Sequence, residues 1–371
     1  MKILFSAENF YPHIGGAEVF LEELMNELSN EHEIYVLYVG QMKKSSLNLL
    51  PKPRSFVFKN IPIFNRSIIR QYSANLIWKR HLEKKVKEIK PDLVFTQLEY
   101  TPSTIEVAKK SGIKSVVFLH NYDHFCPFSF RTVSPDSCDR KCLSCSPLQY
   151  KLQHPFIKKY ISWQEKSLGN ADMILSNSTY MAGMLRRFYG LDSKVFYPIL
   201  NIDMFKTKSG SYTTFINPTT IKGASIALDI VDSLPDKRFL VVGGNKKWAA
   251  KFKKHQNVDY ISYVSDMRDV YGKTKMLLVP SIWPEPFGRV ALEAGVSGIP
   301  CVGSNRGGIP EAIGNGGLVV RDIFDIEEWI KNILKLDEKK SYSRLSLNAK
   351  KHANRFTKNN QLKLLKKLIG V

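Results

Sequence analysis

The 371-residue sequence predicts an α/β protein made of two Rossmann-like domains in tandem, and three observations predict it. Short apolar runs alternate with amphipathic stretches along nearly the whole chain, the pattern of parallel strands joined by crossover helices. The alternation pauses once, in the polar stretch Pro198 to Ser211, and then restarts. The length suits two cores rather than one, at roughly 150 residues per domain. The expected boundaries are residues 1–198 and 199–349, with a C-terminal helical stretch, about 350–371, available to pack back on the first domain.

In the first domain, Lys2–Ala7 is short and apolar, and Phe10–Gly16 carries Pro12 and two glycines. Val19–Leu28 then repeats apolar residues at helical spacing, and Ile34–Val39 reads as the next strand. Similar runs recur at Leu93–Phe95, Val116–Leu119, Met173–Leu175 and Val195–Tyr197. After the pause, strand-like runs are Thr214–Asn217, Phe239–Gly243, Val258–Ile261, Met276–Pro280, Pro300–Gly303 and Leu318–Val320. Leu345–Ile369 reads as one final amphipathic stretch.

Charged residues at 24% and apolar residues at 43% are those of a soluble globular protein, which excludes a disordered chain. No apolar run approaches the 18 or so residues a membrane-spanning helix needs. Glu8 and Asn9 interrupt the start too early for a secretory signal, so the expected location is the cytoplasm, with peripheral contact to the inner face of the cell membrane. Five cysteines form no disulfide framework. The anomaly is the formal charge of +21, which points to an anionic partner.

Residues Gln41–Lys90 hold 13 Lys and Arg against two acids, a net +11 and about half of the excess. Within them, Asn65–Ile89 reads as a basic amphipathic helix. Such a helix suits an anionic membrane surface, at about 1 kcal/mol per cation. A core-facing stripe with a solvated face is the equally open alternative.

Pro284–Gly308, PEPFGRVALEAGVSGIPCVGSNRGG, carries the densest chemistry. It follows an apolar strand and places Glu285, Phe287 and Gly288 before a helix that holds Glu293. A glycine at a strand-to-helix turn lets the main chain approach a ligand, and the helix N-terminus favours phosphate. Carboxylates accept hydrogen bonds from vicinal hydroxyls, which suits Glu293 to a ribose and Glu285 to a sugar. Glu293 lies in an otherwise apolar stretch, where an unpaired carboxylate would be costly.

Glu285-x7-Glu293 in EPFGRVALE, together with PHIGGAE (Pro12–Glu18) and NPTTIKG (Asn217–Gly223), resembles the family-4 retaining glycosyltransferases, whose two-domain fold is called GT-B. The resemblance spans nearly the whole chain and implies two domains facing a cleft, with a sugar nucleotide held by the second. It implies Glu293 on the ribose, Glu285 on the hexose, and Asn217 and the backbone of Phe287 and Gly288 near sugar and phosphate. Lys222 would meet the diphosphate, neutralising charge on the leaving group. The family often supplies an Arg a few residues before this lysine. This sequence has none there, and Arg289 is a candidate substitute.

Gly15 and Gly16, in the loop after the first strand, would pack against the diphosphate, while Glu18 suits a helix cap. His120 ends the strand Val116–Leu119, at the edge where open α/β folds bind ligands, and the resemblance places such a histidine beside the donor sugar. His13 is a second candidate. No Asp-x-Asp triplet occurs, so metal-independent catalysis is expected; the resemblance implies retention of configuration, and no covalent nucleophile is assigned. Cys126, Cys138, Cys142 and Cys145 form C-x11-C-x3-C-x2-C, which fits either structural zinc or reduced thiols. Cys301 reads as core packing.

The leading expectation is therefore a glycosyltransferase using a nucleotide sugar and a glycan or lipid-linked acceptor, in cell-envelope polysaccharide or glycolipid synthesis. The alternatives are a sugar-nucleotide epimerase of the same fold and a basic nucleic-acid-binding protein. Interleaved aromatic platforms and recognition motifs for nucleic acid are lacking, so no specific nucleic acid is expected as partner.

Overall fold

The computed structural model describes residues 1–7, 16–39, 54–58, 68–128, 130, 134–140, 142, 145 and 148–370. The chain divides into two compact units, Met1–Tyr197 with Leu365–Val371, and Pro198–Leu364.

The first unit runs β1 (Lys2–Ala7), α1 (Gly16–Leu28), β2 (Glu33–Val39), β3 (Arg54–Phe58), α2 (Ile68–Ile89), β4 (Leu93–Thr96) and α3 (Thr101–Lys110). It continues through β5 (Lys114–Leu119), α4 (Leu148–Lys151), α5 (His154–Asn170), β6 (Met173–Ser176), α6 (Thr179–Tyr189) and β7 (Lys194–Val195). All seven strands are parallel, in the order β3-β2-β1-β4-β5-β6-β7. The order reverses beside β1, so the ends of β1 and β4 flank the switch point where such sheets open a crevice.

The strands are apolar on nearly every residue because helices cover both faces. Ile3, Leu4, Phe5, Val116, Val117 and Leu119 are fully buried. The apolar stripe of α2 lies against the sheet: Ala74, Trp78, Leu82, Val86 and Ile89 share a core with Leu4, Tyr35 and Val94. Trp78 stacks on Tyr100 at 4.3 Å and donates its indole N–H to Ser6 Oγ at 3.0 Å. Truncating a tryptophan so enclosed costs about 3–5 kcal/mol. The core-facing alternative therefore holds for the described part of the basic segment, while 40–53 and 59–67 lie outside the described residues.

The second unit holds β8 (Tyr212–Ile216), α7 (Ala224–Ser233), β9 (Phe239–Val242), α8 (Lys246–Phe252), β10 (Val258–Ile261), α9 (Met267–Tyr271) and β11 (Thr274–Val279). After these come α10 (Arg289–Val296), β12 (Cys301–Ser304), α11 (Ile309–Ile313), β13 (Gly317–Val320), α12 (Ile326–Lys335), α13 (Lys339–Ala353) and α14 (Lys358–Ile369). Its six parallel strands run β10-β9-β8-β11-β12-β13, with the reversal between β8 and β11. Phe215, Phe239, Phe252, Met276 and Trp329 fill the core between sheet and helices.

The polar stretch after Pro198 is fastened to this unit. Leu200 N–H donates to Phe356 O at 3.0 Å, and Ser297 Oγ bonds both Thr207 N at 2.8 Å and Phe205 O at 2.9 Å. The final amphipathic stretch is two helices rather than one. A 3-10 turn at Asn354–Phe356 and the extended Thr357, which bridges to Leu200, separate α13 from α14. The last turn of α14 belongs with the first unit, where Lys114 Nζ donates to Ile369 O at 2.7 Å.

Candidate active site

In the second unit the loops that leave β8 and β11 meet at the switch point. Asn217 opens the first in the left-handed region, φ 59°, a conformation asparagine tolerates better than most residues. The chain then turns back on itself: Lys222 N–H donates to Thr219 O at 3.1 Å and Ala224 N–H to the same oxygen at 3.1 Å. Gly223 caps α7 at φ 77°, and a Cβ there would fall 1.8 Å from Pro280 O, the first residue after β11. Only glycine fits both the angle and the approach. Ile282 N–H and Trp283 N–H donate to Ile221 O at 3.0 and 3.1 Å, locking the two loops together.

That lock sets Lys222 beside Glu285, with Nζ 2.8 Å from Oε1. Glu285 is buried, and Ser281 donates to the same carboxylate oxygen. Ser281 is itself anchored, since Ser304 Oγ donates to its carbonyl at 2.8 Å. A half-buried lysine with three donors retains capacity for an anion after pairing with one carboxylate. Glu285 is also fixed through its backbone, which accepts from Gly308 N–H at 2.7 Å.

Gly288 starts α10 in the left-handed region, φ 100°, directly after the buried Phe287. The N-terminal turn of α10 leaves N–H groups directed outward. One turn further, Glu293 is held at both oxygens. Tyr271 donates to Oε2 at 2.9 Å and Arg289 Nε lies 3.0 Å from Oε1. Burial, and then the Glu293 carboxylate, push the Tyr271 phenol well above its ordinary value, so it stays a donor. Arg289 is therefore engaged with the carboxylate expected on a ribose. Burial, with Glu285 nearby, pushes the Cys301 thiol up and leaves it as packing.

In the second unit Lys222 is joined to Glu285, Phe287 and Gly288 lead from Glu285 into α10, Glu293 lies one turn along that helix, and Asn217 opens the loop that carries Lys222. His120 belongs to the first unit, at the end of β5, where its ring stacks on Phe118 at 5.5 Å. Its Nε2 is buried without a hydrogen-bond partner among the described residues, and burial lowers its pKa to about 4. The ring is neutral at pH 7. Gly16 is the first residue of α1, whereas Gly15 and His13 lie outside the described residues, as do the side-chain surroundings of Glu18.

Three further residues escape sequence reasoning. Ser281 and Tyr271 orient the two glutamates, and their pairings across 4 and 22 positions follow no local pattern. Gln97, just after β4 at the other switch point, is buried with neither amide atom paired among the described residues. A polar residue at a strand's C-terminal end was the available signal for Gln97 and Ser281.

The zinc reading of the cysteine cluster finds no support among the described residues. Among the described residues no three His, Cys, Asp or Glu side chains are grouped to hold a metal. Cys126 and Cys142 are spent on packing, Cys142 against Ile157 and Tyr160. Burial pushes their thiols up to about 11 and about 12, and the neighbouring cysteines of the cluster raise both further. None of the five cysteines is in a disulfide.

Two family models match the chain: Glycosyltransferase Family 4 over residues 14–202 and Glycosyl transferases group 1 over residues 216–352. An uncharacterized 42.6 kDa protein of the cps region of Klebsiella pneumoniae is 23% identical over 84% of this chain and 87% of its own length. Spore coat protein SA of Bacillus subtilis is 30% identical, over 30% of this chain and 35% of that protein. D-inositol 3-phosphate glycosyltransferase of Mycolicibacterium smegmatis is 25% identical over 52% of this chain and 51% of that enzyme, so the match spans only about half of it. Among solved structures, Anabaena HepE in complex with UDP superposes with a TM-score of 0.75 at 19% identity over 100% of both chains. A glycosyltransferase of Rickettsia africae gives 0.71 at 18% identity, over 99% and 98%. With both domain models matched in order and the two-sheet architecture in place, the chain belongs to glycosyltransferase family 4 and has the GT-B fold.

Proposed function

We propose that this protein is a retaining, metal-independent hexosyltransferase that moves a sugar from a nucleoside diphosphate to a glycan or lipid-linked acceptor. The observation that carries the reading is the pairing of Lys222 with Glu285 at 2.8 Å where the loops of β8 and β11 meet. A cation and a carboxylate fixed side by side suit the two ends of the bond that breaks, a diphosphate and a hexose. Lys222 would meet the diphosphate oxygens, supplying charge where it builds on the leaving group. The N–H groups at Gly288 and the start of α10 would add main-chain donors. Glu285, oriented by Ser281, would accept from hexose hydroxyls, and Glu293, oriented by Tyr271 and Arg289, from the ribose.

Attack by the acceptor hydroxyl on the face the diphosphate leaves, with the proton passing to a departing phosphate oxygen, accounts for retention without a covalent nucleophile. His120, neutral because it is buried, would hydrogen-bond the sugar rather than act as a cation. Gly15, Gly16 and Asn217 are proposed to line the same donor. The UDP complex of HepE supports a uridine nucleotide as the first donor class to try. The cps-region and spore-coat relatives support a cell-envelope acceptor. Association with the inner membrane face is part of the proposal. Among the described residues no helix is long and apolar enough to cross a membrane.

The test is a panel of nucleotide sugars screened for thermal stabilisation, followed by analysis of the product's anomeric configuration. Stabilisation by one donor class and an α-donor giving an α-product are expected. An inverted product, or a requirement for a divalent cation, overturns the mechanism.

A further inference from the structure

One cation at the C-terminal edge of the second unit's sheet has no partner among the described residues. Arg306 sits in the loop between β12 and α11. Its side chain is half-buried, its Nε is shielded from solvent without an acceptor, and it forms no ion pair among the described residues. The two glutamates of the site are committed elsewhere, Glu285 to Lys222 and Ser281, Glu293 to Arg289 and Tyr271. A guanidinium cannot shed its proton to escape burial, so an unpaired one is costly until an anion arrives.

The loop of Arg306 is built against the segment of Glu285. Gly307 forms a parallel bridge with Glu285, and Gly308 N–H donates to Glu285 O at 2.7 Å. A Cβ on Gly307 would fall 2.2 Å from Glu285 O, and one on Gly308 2.6 Å from Pro286 O. The glycine pair lets the two main chains lie together, and Arg306 stands one residue before that contact. The strand order β8-β11-β12 then ranks three loops along the edge, with Lys222 on the first, Glu285 on the second and Arg306 on the third. With Lys222 on the diphosphate and Glu285 on the hexose, Arg306 falls beyond the hexose, on the side away from the diphosphate.

We propose that Arg306 binds a carboxylate carried by the donor sugar, so that the donor is a nucleoside-diphosphate hexuronate, a hexose whose C6 is a carboxylate. The planar fork of N–H donors on an arginine matches a carboxylate at both oxygens, which a neutral hydroxymethyl group cannot reproduce. The inference rests on the donor reading of Lys222 and Glu285 and names the sugar class for that same site.

The full chain is titrated calorimetrically, without acceptor, against free UDP and GDP and against matched donors: UDP-glucuronate with UDP-glucose, UDP-galacturonate with UDP-galactose, and GDP-mannuronate with GDP-mannose. At least one uronate should bind wild type about tenfold or more tightly than its neutral partner. Arg306→Gln should shrink that preference to about twofold or less with free-nucleotide affinity unchanged, and Arg306→Lys should restore part of it. Circular dichroism melting checks that the variants fold, and the preference of wild type tests the inference without them. Binding of the nucleotides with no uronate preference overturns the inference and leaves the donor site standing. So does a preference that survives Arg306→Gln, or an effect of that substitution confined to acceptor KM. Loss of free-nucleotide affinity in folded Arg306→Gln puts the arginine on the diphosphate and overturns it too. No binding of any of these nucleotides to wild type overturns the donor reading and the inference with it.

Discussion

The two units wind their first six strands in the same spatial order, and each reverses beside its first strand. Among the described residues their strand ends nevertheless carry different chemistry. In the second unit the loop after β8 and helix α10 hold charges in fixed pairs, Lys222 with Glu285 and Arg289 with Glu293. In the first unit the described ends of β4 and β5 present Gln97 and His120, the latter kept unprotonated at pH 7 by burial. Topology decides where a ligand goes and side chains decide which one. A charged edge suits a nucleoside diphosphate, and a neutral polar edge suits sugar hydroxyls.

The net charge does not follow that division. The second unit carries +10 of the +21 and the first +11, as much as Gln41–Lys90 alone supplies. The excess is thus no marker of one domain, and the paired charges at the site matter more than the total.

The contrast can be broken most severely at Lys222. Lys222→Ala should cut the transfer rate roughly a hundredfold or more, the scale of removing one preorganised donor at a developing anion. Gln97→Leu, at the neutral edge, should alter acceptor or sugar KM far more than nucleotide affinity. A rate within threefold of wild type for Lys222→Ala would remove the lysine from the chemistry.

Next is backbone. Gly223→Ala meets Pro280 O and a positive φ together, and should cost about 3 kcal/mol or more in chemical denaturation. Gly112→Ala in the first unit has the same φ sign, at 66°, but open space around it, and should cost only about 1 kcal/mol. Equal losses would mean the close approach of the β8 and β11 loops is not maintained.

A smaller effect concerns pH. Burial lowers His120 to about 4 and His124 to about 3, the latter helped by His120. Above about pH 6.5 both rings are neutral folded or unfolded and this term is silent. As pH falls toward 4, the unfolded chain binds protons that the folded one refuses, so stability declines. His120→Asn should flatten part of the decline in melting temperature over that window, and an unchanged slope would contradict it. Smallest of these, Tyr271→Phe removes one bond to Glu293 and should raise donor KM about fivefold with kcat nearly unchanged.

Much of the fold was legible in the sequence because buried parallel strands are near-continuous apolar runs. Lys2–Ala7 and Val258–Ile261 match β1 and β10 residue for residue. β3 escaped because its five residues, Arg54–Phe58, sit in a basic stretch without a long apolar run. The break between α13 and α14 escaped because Leu362, Leu365, Leu368 and Ile369 keep helical spacing while the turn before them is held partly by residues distant in sequence, Leu200 and Phe287. Glu285, Glu293 and Lys222 could be proposed for the site from spacing and family resemblance. Their partners Ser281 and Tyr271 could not, since a hydrogen bond made by folding leaves no periodic trace.

The central claim is that the charged switch point of the second unit holds a nucleoside diphosphate through Glu293 and Lys222. Calorimetric titration of UDP into wild type and Glu293→Ala tests it most directly. The account predicts saturable binding to wild type, weakened about tenfold or more in the variant while its fold is retained. Equal affinity in the two proteins, or no binding of any nucleoside diphosphate to wild type, would contradict it.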